Sequence, residues 1–251
     1  MNGLRWRLPE APLRTSLAAA AGAGLLAGAA LALAAGSWVD AGPRYPLKAL
    51  AGFAVMMTVA AGLVADHHPF PRLGPANQIT TIRVVLVALI AGLIGEAASP
   101  DVAWFVIGAT TLTAVLDGAD GWLARRSHMA SRFGARFDLE TDAACILVVS
   151  VIVWQHNKAP AWVMLCGLMR YGFVAAAWWL PWLGGPLRST IRGKTVAVLQ
   201  LVGLAVALAP FVSPSAGTAV AAATLAALVW SFALDVSWLQ RQARYRGAAG
   251  R

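Results

Sequence analysis

Four aspartates lie within 26 residues of one another, between long apolar runs of the chain: Asp117, Asp120, Asp138 and Asp142. The whole sequence has only 11 acidic residues, and charged residues make up 12% of it. Carboxylates at the edge of a hydrocarbon layer are costly unless something neutralises them. Clustered carboxylate oxygens suit hard divalent cations such as Mg²⁺ and Mn²⁺. We therefore expect the chemistry of this protein at a metal site built from these four side chains.

Helical spacing places the aspartates on two faces that can oppose each other. The first pair shares a helical face with two small residues: Asp117, Asp120, Gly121 and Ala124. The second pair follows a glycine at intervals of four, which is again one face: Gly134, Asp138 and Asp142. Two antiparallel helices joined by the short basic turn between them would aim these faces at each other. Converging carboxylates favour two metal ions, about 3.5–4 Å apart.

The other residues of this segment suit the transfer of a phosphoryl-type group. Gly121, Ala124 and Gly134 remove side-chain bulk, so a ligand or a neighbouring backbone can come close. Arg125 can meet phosphate oxygens in a bidentate arrangement. An aspartate beside a metal can accept the proton of a hydroxyl nucleophile. Catalysis of phosphoryl-type transfer consists largely of such positioning and charge neutralisation.

Composition places the chain in the class of polytopic membrane proteins. Hydrophobic residues make up 59% of the sequence, and the mean hydropathy is +0.67, both far above a soluble domain. Several runs approach the ~20 residues that span a bilayer. The pattern predicts an all-α fold with eight helices, at 16–35, 48–65, 78–97, 102–126, 134–155, 159–182, 194–213 and 216–239. Cys145 and Cys166 fall inside these helices and are interpreted as small buried hydrophobic residues.

Positive charges predict the orientation in the membrane. If the N-terminus lies inside, basic residues crowd the segments on that side, whereas the opposite side carries only Arg44, Lys48 and Lys158. The positive-inside rule therefore places both termini and the aspartate segment in the cytoplasm. The net charge of +9 is then explained by topology and lipid-surface attraction rather than by nucleic-acid binding.

The N-terminal apolar run has two interpretations. Basic residues precede an Ala-rich stretch, as in a secretory signal peptide, but the stretch is longer than the usual ~7–15 residues of a signal core. We favour an uncleaved helix. A Pro-rich stretch at 66–76 predicts a division into a two-helix extension, 1–68, and a six-helix core, 69–251. His67 and His68, at this division, are interpreted as loop residues.

The aspartate segment resembles the signature of the CDP-alcohol phosphatidyltransferase family. It reads DGADGWLAR, then eight residues, then GARFDLETD, and matches all eight fixed positions of D-x2-D-G-x2-A-R-x8-G-x3-D-x3-D. The stretch with Asn77, Thr80 and Arg83 resembles the opening of the first core helix of the family. The stretch from Arg192 to Thr195, with Gln200, resembles the opening of the fifth core helix in a contracted form. The resemblance covers about residues 70–240.

The resemblance implies an integral membrane enzyme of phospholipid synthesis, expected in a bacterial inner membrane. Its donor would be CDP-diacylglycerol or another CDP-alcohol, and it would release CMP. The four aspartates would hold two divalent cations, with Asp142 also the general base. The CDP site would be formed by Gly121, Ala124, Arg125 and Gly134. The resemblance further suggests a homodimer.

The acceptor is expected to be a small polar alcohol that can carry a phosphate. Arg170 lies inside a predicted span, where arginines are rare and often functional. Basic residues before the next span could complete a phosphate pocket with it: Arg188, Arg192 and Lys194. If this pocket forms, glycerol 3-phosphate or an inositol phosphate is a candidate acceptor. A snorkelling arginine and ordinary positive-inside charge are the alternative interpretations of these residues.

Two other functions use the same carboxylates. A soluble CDP-alcohol could donate its phosphoalcohol to diacylglycerol, which reverses the roles of lipid and soluble substrate. A divalent-cation transporter could also place acidic side chains in a membrane. An ion path has no need for the glycines and Arg125 of the segment, so the enzyme is the favoured interpretation.

Overall fold

The computed structural model describes residues 11–127, 129–185 and 191–249. Within these ranges the chain folds into eight α-helices and no β-strand. The helices are α1 (Ala11–Trp38), α2 (Tyr45–His67), α3 (Pro75–Gly92), α4 (Pro100–Arg126), α5 (Arg132–Gln155), α6 (Leu165–Trp179), α7 (Ile191–Leu208) and α8 (Pro214–Ala249). Short 3-10 turns precede α6 and follow it, at Ala161–Met164 and Pro181–Gly184. The predicted all-α fold is confirmed.

Six of the eight helices in the described ranges are long and apolar enough to cross a membrane. They are α1, α2, α3, α4, the helix that includes α6 and its preceding 3-10 turn, and α8. The protein is therefore an integral membrane protein of the polytopic type. The outer faces of these helices expose large apolar side chains, among them Leu26, Trp179 and Trp230, as helices in contact with lipid do.

The helix bounds differ from the predicted ones at most ends, whereas the C-terminal ends of α4 and α5 coincide with the prediction. α3 ends at Gly92 rather than residue 97, because the chain turns at Gly95, whose φ of +82° is in the left-handed region. The side chain of Gln155 holds this turn: it accepts a hydrogen bond from the Gly95 backbone N–H at 2.7 Å and donates to the Glu96 carbonyl at 2.6 Å. α8 continues past residue 239, through a stretch rich in the good helix formers Gln, Arg and Ala.

α5 is the central helix of the bundle. It packs against α2, α3, α4, α6 and α7. Its apolar half supplies fully buried side chains to the core, including Val149, Ile152 and Val153. The carboxylates of Asp138 and Asp142 therefore stand on a helix that is fixed from several sides, which is how a site is held in a defined geometry.

Polar contacts join the four loops at the end of the bundle away from the aspartates. Lys48 pairs with Glu96, and the backbone N–H of Gly42 donates to the same carboxylate at 2.8 Å. These hydrogen bonds, led by that from Lys48, hold the pKa of Glu96 below its usual range. Lys158 donates to the carbonyls of Ala209 and Val212 beyond the end of α7, at 2.9 and 2.6 Å. These bonds satisfy carbonyl groups that lie outside the helices.

The two N-terminal helices pack directly on the remainder of the chain. α1 contacts α2 and α3, and α2 contacts α3 and α5. A Cβ on Gly24 of α1 would lie 2.4 Å from the ring of Phe53, and one on Gly92 of α3 would lie 2.9 Å from the ring of Tyr45. Residues from both sides of position 68 belong to one hydrophobic core. The division at residue 68 stays a prediction about the sequence.

Gly167 allows α6 to approach the backbone of α5. A Cβ at this position would lie 2.3 Å from the Cα of Leu147. We expect Gly167→Ala to force α5 and α6 apart and to lower the free energy of unfolding by about 1–3 kcal/mol, the usual cost of overpacking. Gly172→Ala, on the same helix but with nothing within 4 Å, is the matched control. Thermal unfolding in detergent should show a loss for the first variant alone; equal melting temperatures would contradict the argument.

Candidate active site

The aspartates lie where α4 ends and α5 begins. α4 carries Asp117 and Asp120 in its last turns, and α5 carries Asp138 and Asp142 in its first turns. Ser131 caps α5 by accepting a hydrogen bond from the Gly134 N–H at 3.0 Å, which satisfies one of the free donors of the first turn. Carboxylate oxygens of Asp117, Asp120 and Asp138 all lie within 4.8 Å of one another. The spacing of the sequence therefore predicted the convergence of these three side chains correctly.

A buried arginine lies among the four carboxylates. The guanidinium of Arg83 on α3 is 3.1 Å from Asp117 and 2.7 Å from Asp120. It also pairs with Asp138 through Nη1 and with Asp142 through Nη2. Its side chain is 0% exposed, so the charge is fully removed from water. Arg83 joins Asp142 to the cluster formed by the other three aspartates.

One face of α3 supplies the polar wall of the site. Asn77, Thr80 and Arg83 follow one another at intervals of three and lie on one helical face. The Thr80 hydroxyl donates to Asp120 at 3.3 Å. A Cβ on Gly134 would lie 2.8 Å from Oδ1 of Asn77. The missing side chain of Gly134 therefore lets the first turn of α5 approach α3.

Sequence reasoning did not assign Arg83 to the site. It placed Arg83 only in a stretch that resembles the opening of the first core helix of the family, although an arginine inside a membrane span is rare and usually functional. Its spacing from Asn77 and Thr80 was the available signal. Only the packing of α3 against α4 and α5 reveals which acids it contacts.

The charge and exposure of the site fit a divalent cation. One guanidinium faces four carboxylates, so the ionised cluster has three negative charges in excess. Asp120 is nearly buried, whereas the side chains of Asp117 and Asp138 are each 36% exposed, so an ion can reach them from solution. Oxygen-only donors of this kind suit Mg²⁺ or Mn²⁺. The cluster can therefore bind a metal ion.

The residues predicted to line a nucleotide site lie beside the carboxylates. Gly121 and Ala124 follow Asp120 in the last turns of α4 and are partly exposed. Gly134 is also partly exposed, at the facing start of α5. The side chain of Arg125 lies outside the part of the chain that the structure describes.

The residues predicted to bind an acceptor phosphate have acidic partners. Arg170 on α6 donates to Glu140 of α5 at 2.7 Å, and Arg192 on α7 pairs with Asp235 of α8. The side chain of Arg170 is 19% exposed and that of Arg192 is 28% exposed. Lys194 is exposed, and Arg188 lies outside the described residues. Cys145 and Cys166 are free and buried, as predicted.

Removing the Arg83 charge should change how the protein responds to divalent cations. Without a cation, Arg83→Gln leaves the carboxylates unpaired, and breaking a buried ion pair typically costs about 3–5 kcal/mol. Bound cations should restore much of this loss, because ligands stabilise the state that binds them. We expect Mn²⁺ to raise the melting temperature of Arg83→Gln more than that of the unchanged protein. The control is Arg126→Gln, at an exposed position of α4; equal Mn²⁺ shifts in all three proteins would contradict the prediction.

Three named relatives match the chain in part. A CDP-diacylglycerol–glycerol-3-phosphate 3-phosphatidyltransferase of Cereibacter sphaeroides is 28% identical over 134 residues, which are 52% of this chain and 61% of that protein. A protein of Mycobacterium bovis named "Putative cardiolipin synthase" is 26% identical over 160 residues, 61% of this chain and 77% of its own length. A Mycobacterium tuberculosis protein named "Probable phosphatidylglycerophosphate synthase" is 27% identical over 144 residues, 50% of this chain and 65% of its own. No solved structure matches the chain.

The family comparison covers the site and most of the bundle. The family model named CDP-alcohol phosphatidyltransferase matches residues 74–233, a segment that runs from the start of α3 into α8 and contains all four aspartates and Arg83. This is well over half of the chain. The protein is a transferase and belongs to the CDP-alcohol phosphatidyltransferase family.

Proposed function

We propose that this enzyme transfers a phosphatidyl group from CDP-diacylglycerol to the hydroxyl of a small polar alcohol and releases CMP. The convergence of four carboxylates around Arg83, at the end of a membrane bundle, carries this proposal. The name of the Cereibacter sphaeroides relative gives CDP-diacylglycerol as the donor of that protein. A lipid-linked donor can reach such a site from within the bilayer.

The catalytic end of the bundle is assigned to the cytoplasm. Basic residues lie in the segments next to the aspartates, including Arg132 and Arg136 at the start of α5. At the opposite end, Lys48 is paired with Glu96, and Lys158 is taken up by backbone carbonyls. This asymmetry follows the positive-inside rule. A bacterial cell membrane stays the expected location. The homodimer that the resemblance implies stays a prediction.

The four aspartates would hold two divalent cations, Mg²⁺ or Mn²⁺. When bound, such ions neutralise negative charge on the diphosphate and on the leaving group. Gly121 and Ala124 would leave room beside the carboxylates for the nucleotide, and Gly134, at the partly exposed start of α5, is assigned to the same site. Arg125 is assigned to the phosphate oxygens, since guanidinium groups bind them in pairs.

Asp142 is proposed as the general base. Arg83 donates to its Oδ1, which leaves Oδ2 to accept the proton of the acceptor hydroxyl. The hydroxyl oxygen attacks the phosphorus that carries diacylglycerol, and a new P–O bond forms. The bond from that phosphorus to the bridging oxygen of the diphosphate breaks, and CMP leaves with the electron pair. The side chain of Asp142 is 23% exposed, so an acceptor from solution can approach it.

A phosphorylated alcohol is the proposed acceptor class, and glycerol 3-phosphate is the first member to test. The name of the Cereibacter sphaeroides relative includes this acceptor. Arg170, Arg188, Arg192 and Lys194 are the residues assigned to its phosphate. Because Arg170 and Arg192 already contact Glu140 and Asp235, an incoming phosphate must replace or share these partners.

The decisive experiment measures CMP release from CDP-diacylglycerol by the purified protein with Mg²⁺ or Mn²⁺ and a panel of acceptors. The panel contains glycerol 3-phosphate, an inositol phosphate, glycerol and phosphatidylglycerol. Release that depends on a phosphorylated alcohol supports the proposal. Activity only with a soluble CDP-alcohol and diacylglycerol would reverse the direction of transfer. Metal-dependent ion flux in liposomes without CMP release would favour a transporter.

Replacing Asp142 tests its role as the base. Asp142→Asn should reduce the turnover number by at least about 10²-fold, the usual contribution of a positioned acid or base, while CDP binding largely survives. Asp101→Asn is the matched control, because it makes the same change at an exposed carboxylate in the first turn of α4, outside the site. The measurement combines steady-state CMP release with binding of labelled CDP. Full turnover by Asp142→Asn would remove this residue as the base.

A further inference from the structure

His68 lies shortly before the family match, which begins at residue 74. It follows the last residue of α2, and its backbone N–H donates to the Val64 carbonyl at 3.1 Å. The sequence predicted a loop residue, and His68 does lie just outside α2, but its side chain is only 8% exposed. A buried imidazole has to place both of its ring nitrogens against hydrogen-bond partners.

The partners of His68 fix the direction of a hydrogen-bond chain. Nε2 lies 2.9 Å from the carbonyl oxygen of Arg72, and because a carbonyl only accepts, Nε2 carries the hydrogen. Nδ1 of the neutral ring is then an acceptor, and the Ser131 hydroxyl, 3.1 Å away, donates to it. The same hydroxyl oxygen accepts the hydrogen bond of the Gly134 N–H at 3.0 Å. His68 therefore orients the side chain that caps α5.

Aromatic contacts hold the imidazole ring against the same helix. The rings of Phe70 and Phe133 each meet it edge to face, with centroids 5.5 Å away. Phe133 is fully buried at the start of α5 and stacks on Phe137 of the next turn. The two phenylalanines place His68 against the side of α5, while Ser131 places it against the end.

The first helix also takes part in this arrangement. Ser16 of α1 accepts a hydrogen bond from the backbone N–H of Leu73 at 3.1 Å. Leu73 is buried and follows Arg72, the residue whose carbonyl receives the His68 ring. Both N-terminal helices therefore hold the segment from His68 to Leu73, and this segment holds the start of α5.

We propose that His68 is a positioning residue: through Ser131 it fixes α5 along its axis and thereby sets the places of Asp138 and Asp142. Gly134 precedes these aspartates by four and eight residues on one rigid helix, so a shift of the cap moves both carboxylates. The two N-terminal helices lie before the family match. They then help to set the geometry of the active site, in addition to anchoring the protein in the membrane. The inference rests on the proposed function for its kinetic part and on the carboxylate cluster alone for its metal part.

Two substitutions of His68 test its two hydrogen bonds one at a time. His68→Asn places a carbonyl oxygen near the position of Nδ1 and keeps an acceptor for Ser131. His68→Gln places an N–H near the position of Nε2 and keeps the donor to Arg72, but it loses the bond to Ser131. Ser131→Ala removes both the cap of α5 and the hydrogen-bond partner of His68 Nδ1. Ser99→Ala is the control, because Ser99 caps α4 by the same type of bond, to Val102 at 3.2 Å, far from the aspartates.

The experiment measures, in the full-length protein, the Mn²⁺ concentration that gives half of the maximal thermal stabilisation, and then the turnover number for CMP release. We expect Ser131→Ala and His68→Gln to raise this concentration and to lower turnover about tenfold, as loss of support behind metal ligands does. His68→Asn should stay close to the unchanged protein. The double variant His68→Gln with Ser131→Ala should be no worse than Ser131→Ala, since both act through one bond.

Ser99→Ala separates positioning from general stability. It should lower the melting temperature as Ser131→Ala does, yet leave the Mn²⁺ half-point and turnover unchanged. If His68→Gln and Ser131→Ala also leave both quantities unchanged, or if His68→Asn is as impaired as His68→Gln, the positioning role is wrong. If the unchanged protein releases no CMP, the proposed function fails, while the Mn²⁺ half-points still decide the role of His68.

Discussion

A single buried guanidinium among four carboxylates is the constraint on which this structure depends. Removing Arg83 from water is expensive unless its partners are held in good geometry, and those partners come from two helices other than its own. The cluster therefore sets how α3, α4 and α5 lie along one another. Other features at this end serve the same alignment: Gly134 lets α5 approach Asn77, Thr80 donates to Asp120, and Ser131 ends the turn between the aspartate helices. Loss of any of these contacts would disturb the alignment that keeps the guanidinium next to its carboxylates.

Charged side chains are arranged differently at the two ends of the bundle. Away from the site, two lysines are satisfied locally: Lys48 by Glu96, and Lys158 by carbonyls beyond α7. At the site, charge is left in excess and partly exposed, which costs stability and is typical of a binding centre. The apolar half of α5 connects the two ends, because it is packed on several sides. This rigidity explains how a contact at the first turn of α5 can matter for carboxylates one and two turns further on.

The sequence was informative wherever the relevant pattern is local. Apolar runs and their Pro and Gly breaks predicted all eight helices, and spacing along single helices predicted that Asp117, Asp120 and Asp138 converge. The misses all concern partners from distant segments. Arg83 was not assigned to the site, the contact of the loop residue His68 with Ser131 was not predicted, and α3 ends early because Gln155 of another helix holds the turn at Gly95. Periodicity identifies the face that a residue occupies on its own helix, but not the helix that this face will meet.

The charge balance around the site bears on the order in which ligands can bind. Arg170 and Arg192 are each neutralised by one acid, so they contribute little free positive charge. The cluster of four aspartates and Arg83 keeps three negative charges in excess when ionised, and it would repel a diphosphate. If two divalent cations add four positive charges, the cluster acquires one positive charge overall and attracts the same diphosphate. Donor binding would then depend on cations already held by the carboxylates, and the arginine that keeps those carboxylates together in the absence of cations also keeps the site ready to receive them.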